Sequence, residues 1–592
     1  MLPPDSRTTL LKRLEPPPGY SVSQLVGTTF TLDLDSAMLP SLALSRSASA
    51  DFADPLETIA AVQASVGKIN IFHQSWLIKV PPNRSRLHTL MEPALHAIRP
   101  GGKNLFHPKI WLAHYVNSET AEVKFRLIVL SRNLTPDRSW DIALTLDGRL
   151  ESTPSAKNKP LVDLLRYLPT TVTPELPADR ALAIDKFAED VRYARWNLPA
   201  GAKELIFHVF GVPKMPKPKI DFSGYKHLLV SPFLGDTGFE MVANHAKGSV
   251  TVVSRQESLD GLNQQNADWI SDAYVLSPTA GIPAEEDESN GGPVLAGLHA
   301  KMYCVERAKW AHLFVGSSNA TRKAFGGNVE VLVELTGSVS AFGVDTFLGK
   351  DGFMSILQPT TIEPSDEKAE DPQFFLDGHL REVAAVPLRS ELSQTDDTFG
   401  LHLTSTEPIP SKPDVVLSVS LLTDKSTSTG IPAGSTVSVM FENLALSDVT
   451  AFVVLTVADS DGRSSSAVVK CELINDLPDR MSSIITREID SPDAFRRFLS
   501  LLLAFGTPAE AESEQEDGAS DMGVGRWDSL ENGLFEQLLR AASSSPAILE
   551  QLSGVVTSII GNDDPHRVLP EGFGDLWIAI AAATNLKESA NV

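Results

Sequence analysis

The strongest constraint on the fold is an order of elements that occurs twice. Between residues 25 and 150, strand and helix signals alternate. Phe30, Leu32 and Leu34 alternate with Thr31 and Asp33 as in a strand, and Ile69 and Ile71 mark a second strand. Residues 85–98 have helical spacing, and strands are expected around 105–116, 122–131 and 141–147. Residues 202–338 follow the same plan, with strands at 227–230, 250–253, 273–276, 298–305, 311–316 and 329–335 and a helix over 239–246. Alternating β and α elements predict α/β layers, and the two halves read as one duplicated unit.

Each half carries the same polar set. The first has His107-Pro108-Lys109, then Ser131-Arg132-Asn133, then Trp140-Asp141. The second has His299-Ala300-Lys301, then Ser317-Ser318-Asn319, then Glu330. In a strand, His and Lys two residues apart lie on one face. Such a set suits phosphodiester cleavage. One imidazole can attack phosphorus and the other can exchange protons with the leaving oxygen and water. Lys and Asn can neutralise the phosphoryl oxygens without a metal, and a carboxylate on the far ring nitrogen can fix an imidazole's orientation. Two half-sites facing each other would supply both histidines.

This pattern resembles the phospholipase D superfamily, and most closely its branch of tyrosyl-DNA phosphodiesterases and bacterial nucleases. The resemblance covers roughly residues 25–340. It implies a duplicated phospholipase D-like α/β/α sandwich and a covalent phosphohistidine intermediate. It implies catalytic roles for His107, Lys109, Asn133, His299, Lys301 and Asn319, with Glu330 and Asp141 orienting the histidines. Glu330 lies eleven residues after Asn319, where the family places this acid, but Asp141 lies only eight after Asn133. The lipid-cleaving branch has Asp five residues after the motif Lys, whereas this chain has His114 and Glu306 there. That departure tilts the expected substrate toward DNA or RNA. The resemblance makes His107 the expected nucleophile and His299 the acid and base, with the opposite assignment left open. A phospholipase or phosphatidyl transferase, and a degenerate scaffold that only binds nucleic acid or protein, are the competing readings; Pro108 inside an expected strand speaks for the latter.

The remaining sequence sets the surroundings. Residues 1–200 and 201–385 are read as the two halves, 386–490 as a β-sandwich of short Val- and Thr-rich strands, and 491–592 as a helical region. Ser491-Pro492 and Ser545-Pro546 read as helix starts, and the acidic stretch 507–526 as a disordered linker. A second acidic loop is expected at 279–292. The C-terminal domains are expected to dock a protein partner or a second copy. The net charge of −24 opposes indiscriminate attraction to polyanions. Seven Lys or Arg between Arg192 and Lys226 read as a solvated linker or, more sharply, a phosphate-tracking rim. His73, His114, His208 and His312 read as satisfied strand or surface histidines. No cofactor or metal motif is found, Cys304 and Cys471 lack ligand spacing, and no apolar run of membrane-spanning length occurs. A cytoplasmic location without stable membrane insertion is expected.

Overall fold

The computed structural model describes residues 9–45, 55–137, 139–278, 280, 297–349, 352–364, 372–506, 538, 541, 546–560, 567–570 and 573–584. The expected linker at 507–526 and all of the acidic loop at 279–292 but Ala280 lie outside them.

The first half supplies β1 (Tyr20–Thr29), β2 (Leu32–Asp33), β3 (Ile69–Gln74), β4 (Ile78–Lys79), β5 (Leu95–Ile98), β6 (Ile110–Asn117), β7 (Val123–Leu130), β8 (Ala143–Leu150) and β9 (Ala194–Trp196). Seven of these form one sheet in the order β5-β3-β1-β6-β7-β8-β9. The second half supplies β10 (Ala202–Phe210), β11 (Gly224–Val230), β12 (Ala246–Val253), β13 (Asp272–Leu276), β14 (Met302–Arg307), β15 (Trp310–Gly316), β16 (Glu330–Ser338) and β17 (Leu357–Pro359). Their sheet runs β10-β16-β15-β14-β11-β12-β13-β17. Apart from β17, the two orders match position for position, although β9 closes its half in sequence and β10 opens the other. One apolar core takes Leu112, Leu127 and Val129 from the first sheet and Met302, Val315, Val331 and Val333 from the second. Burying side chains of this size is worth about 1.5–3 kcal/mol each.

Three expectations change. Phe30, Leu32 and Leu34 do not form one strand: Asp33 Oδ1 accepts from Ser36 N at 2.8 Å and caps a helix over Leu34–Leu44. Residues 85–98 form a 3-10 turn (Arg86–Ala94), capped by Ser85 and interrupted by Pro93, and then β5. Pro108 precedes β6, so its missing N–H costs the strand ladder nothing.

Beyond the halves come β18 (Leu388–Thr395), β19 (Thr398–Pro408), β20 (Val415–Leu421), β21 (Thr429–Ile431), β22 (Thr436–Leu444), β23 (Phe452–Asp459), β24 (Ser464–Lys470) and β25 (Glu472–Ile474). They form the sheets β22-β19-β18-β25 and β2-β4-β24-β23-β20-β21. The second sheet is completed by two short strands of the first half, with Val468 paired to Ile78. A buried clasp reinforces this join. Glu92 accepts from Thr450 Oγ1 and Ala451 N, both at 2.7 Å, and from Arg480 at 2.8 Å.

The helix over Pro492–Gly506 begins as its sequence implies, with Ser491 Oγ accepting from Ala494 N at 3.2 Å. It packs on the first-half helix Pro55–Ser65, and the helices Pro546–Ile560 and Phe573–Thr584 join the same core. Among the described residues no helix is long and apolar enough to cross a membrane.

Candidate active site

The two halves meet through their own motifs. Just before β6, Phe106 pairs in parallel with Val329 of the second half; His107 N donates to Val329 O at 3.0 Å and Val329 N to Leu105 O at 2.8 Å. The mirror arrangement joins Trp140 to Leu298, with Trp140 N donating to Gly297 O and His299 N to Trp140 O, both at 2.8 Å. Each His-x-Lys segment therefore lies against the acid-bearing segment of the opposite half.

This crossing decides which acid serves which histidine. His107 Nδ1 lies 2.9 Å from Glu330 Oε2, so the second half's acid orients the first half's imidazole. Glu330 also accepts from Ser317 Oγ and, at 3.5 Å, from Asn328 Nδ2. Gly316 allows this approach, since a Cβ there would meet Val331 O at 2.1 Å. Phe30 closes the other side of His107, edge-on at 4.8 Å.

Asp141 occupies the position equivalent to Glu330. Ser131 Oγ accepts from Ile142 N at 2.8 Å, as Ser317 Oγ accepts from Val331 N at 3.0 Å. The shorter Asn133–Asp141 spacing has a plain cause: the second half inserts a short helix, Arg322–Gly326, between its Asn and its acid. Asp141 lies 3.3 Å from Arg132 Nε and is not bonded to His299, whose Nδ1 lacks a hydrogen-bond partner among the described residues. A residue the motifs did not single out, Asp137, lies 3.7 Å from His299 Nε2. Ser139 holds Asp137 through its N–H (3.1 Å) and hydroxyl (2.8 Å).

Both lysines are buried, at 1% and 2% exposure for Lys109 and Lys301, which is rare for an ammonium group. Lys109 Nζ donates to His107 O at 3.0 Å. Lys301 Nζ donates to His299 O at 2.6 Å and, across the halves, to Ser131 O at 3.2 Å. The side-chain oxygens of Asn133 and Asn319 are buried without partners among the described residues.

Crowding of like charges marks the site electrostatically. Burial pushes Lys301 down to about 7, with Glu330 opposing and Arg255 adding to the fall. Burial and the neighbouring Lys301 hold Lys109 well below the ordinary ammonium range. Burial, Lys109 and Lys301 keep His107 well below the imidazole range. Burial and Lys301 bring His299 down to about 3, against the pull of Asp137. Burial lifts Glu330 up to about 8, although Lys109 and the hydrogen bonds from Ser317 and Asn328 resist. Lys301 acts on His107 and Lys109 on His299, so the four groups share one electrostatic neighbourhood. An anion entering it would relieve the repulsion between the lysines.

The basic run at 192–226 is not one linker. Arg195 and Lys203 sit in strands, Arg192 ends a helix, and Lys226 pairs with Asp345. Lys214, Lys217 and Lys219 are exposed on the loop after β10. That loop starts at Gly211, at φ +70°, where a Cβ would meet Asn328 O at 2.2 Å, two residues from Glu330. Lys103, four residues before His107, and Arg322 and Lys323, in the inserted helix, are exposed as well. His208 and His312 share Glu334 at 2.7 and 2.8 Å, away from the site, and His114 lies 3.3 Å from Asp190. His73 is only half satisfied: its Nε2 is buried without a partner among the described residues. Among those residues no cluster of three or more His, Cys, Asp or Glu could hold a metal.

No family model and no curated protein matches the sequence. Among solved structures, the chain is similar to yeast tyrosyl-DNA phosphodiesterase, at 14% identity over 55% of this chain and 87% of that one, with a TM-score of 0.33. It is similar to phosphatidylserine synthase of Haemophilus influenzae at 10% identity over 63% and 90%, with a TM-score of 0.32. It is similar to polyphosphate kinase from Porphyromonas gingivalis at 11% identity over 55% and 44%, with a TM-score of 0.28.

Proposed function

We propose that this chain is a metal-independent phosphodiesterase of the phospholipase D type, built from a duplicated unit and acting on nucleic acid. The observation that carries the reading is the pairing of His107 with Glu330 across the two halves, beside two buried lysines. With Nδ1 held by the carboxyl group, Nε2 of His107 is left as the nucleophile. It forms a bond to phosphorus while the bond to the leaving oxygen breaks. His299 gives that oxygen its proton, then takes one from the water that cleaves the phosphorus–nitrogen bond. Lys109, Lys301, Asn133 and Asn319 hold the phosphoryl oxygens as charge builds. Asp137 favours the protonated form of His299, which suits the acid role.

Six exposed cations favour a polyanionic substrate. Lys103, Lys214, Lys217, Lys219, Arg322 and Lys323 lie on segments converging on the Asn328–Glu330 flank, where a phosphate backbone could run.

The test is cleavage of labelled DNA and RNA in excess EDTA by the parent, His107→Ala and His299→Ala. Activity that survives chelation in the parent and vanishes in both variants supports the reading. Activity that requires Mg²⁺ refutes it, and turnover of phosphatidyl lipids without nucleic-acid cleavage would move the substrate to the lipid class.

A further inference from the structure

Between the first half and the β-sandwich lies a cavity of about 660 Å³. One wall comes from the C-terminal ends of β3 and β5, with His73, Ser75 and Arg99; the other comes from β18, β19 and β24, with Thr406 and Lys470. The ends of parallel strands are the usual place for ligands in α/β sheets. Ala384 is the one second-half residue in its lining, and no histidine, lysine or acid of the candidate active site lines it, so it is separate from the lysine-filled gap described above.

The polar groups of this cavity are incompletely used. His73 is 1% exposed; its Nδ1 lies 3.0 Å from Gln74 O and so carries the hydrogen. That leaves Nε2 as an acceptor, and it has no partner among the described residues. Burial keeps the ring neutral, pushing it down to about 4, so a hydroxyl donor suits it. Arg99 donates through its terminal nitrogens to Ala384 O at 2.7 Å and to Ala385 O, but its Nε–H is buried with no acceptor among the described residues. Lys470 Nζ donates to Glu92 O and to Leu95 O at 3.1 Å, with a third proton to spare. Buried groups left in this condition are costly, and a ligand recovers that cost. The acid Glu472 is neutralised by Arg389 at 2.7 Å, and Glu175 lies exposed at the rim. Val172, Pro174, Val386 and Val468 supply apolar walls.

We propose that this cavity binds a nucleoside monophosphate, whose hydroxyls donate to His73 and whose phosphoryl oxygens accept from Arg99 and Lys470. The ligand would touch the catalytic half and the sandwich at once. Its nearest link to the catalytic centre is Gln74, whose carbonyl faces His73 and whose Oε1 accepts from Phe106 N at 2.6 Å, one residue before His107.

Calorimetric titration with AMP and with inorganic phosphate tests the assignment. AMP should bind the parent and Lys301→Met alike, and more tightly than phosphate does. Binding should weaken by about tenfold or more in His73→Phe, where the acceptor is lost, and in Thr406→Trp, which blocks the cavity from an exposed strand position. The assignment is overturned if millimolar AMP does not bind, if phosphate binds equally well, or if both cavity variants bind like the parent. AMP binding lost in Lys301→Met alone would place the ligand in the catalytic gap.

Discussion

Replacing Lys301 by Met should leave the protein as stable as the parent or more so near neutral pH, while removing its activity. Burial, with a smaller push from Arg255, brings this ammonium from an ordinary 10.5 to about 7. At 1.36 kcal/mol per pH unit, that displacement corresponds to a cost of about 5 kcal/mol. Methionine fills a similar volume without charge. It leaves His299 O and Ser131 O without their donor, which costs about 1–3 kcal/mol each. The net change near neutral pH therefore runs from a loss of about 1 kcal/mol to a gain of about 3 kcal/mol, centred on a gain of about 1 kcal/mol. The sign with pH follows from proton counting. Between about 7 and 10.5 the unfolded parent holds a proton on Lys301 that the folded parent does not, so parent stability rises with pH across that window. Below it the full penalty applies. The advantage of Lys301→Met should be largest at pH 6–7 and should vanish or reverse by about pH 10. Urea denaturation of both proteins at pH 6.5 and 9.5 measures this difference. A variant less stable than the parent at pH 6.5 by more than about 1 kcal/mol, or a stability difference identical at both values, would refute the reasoning.

Glu330→Gln should lower kcat by about 10²–10⁴ with little change in KM, because His107 loses the carboxyl group that fixes its tautomer and steadies its charged form; single-turnover cleavage measures it. Asp137→Asn should move the alkaline limb of the kcat/KM profile to lower pH, by up to about one pH unit, since the lost carboxylate favours protonated His299. An unmoved limb would remove Asp137 from the proton path. Replacing Lys214, Lys217 and Lys219 by Ala should reduce the slope of log affinity against log salt by about 2–3 for nucleic acid, as read by fluorescence anisotropy. Arg480→Ala should destabilise the chain by about 3–5 kcal/mol, because it strands the buried Glu92 carboxylate; denaturant titration tests it.

The polar residues of the site were legible because their spacing repeats: His, Lys and Asn recur in the same order in both halves. The partnership between them was not. Glu330 reads from sequence as the last member of its own half, yet it reaches His107, because the segments before β6 and β16 pair across the halves. The eight-residue gap before Asp141 looked like a weakness. Only the Ser131–Ile142 and Ser317–Val331 bonds reveal it as the uninserted version of the same turn. Asp137 carried no signal, because a lone acid in a Pro- and Ser-containing turn reads as solvated. The Phe30–Leu34 alternation misled, since a capping Asp overrides the strand period within a few residues. The C-terminal helices were legible as helices, but not as part of the first half's core, because contacts between distant segments leave no local pattern.

The two short strands lent to the sandwich have a mechanical consequence. From Val468 the pairing passes to Ile78, then to Leu32, and from Leu32 to Leu134, the neighbour of Asn133. This forms an unbroken tether of main chain between the β-sandwich and Asn133, a residue proposed to hold the phosphoryl group. Whatever grips or strains the sandwich pulls on the catalytic pocket through that tether. A truncation after residue 385 would also strip β4 of its neighbour, leaving a raw sheet edge beside the pocket.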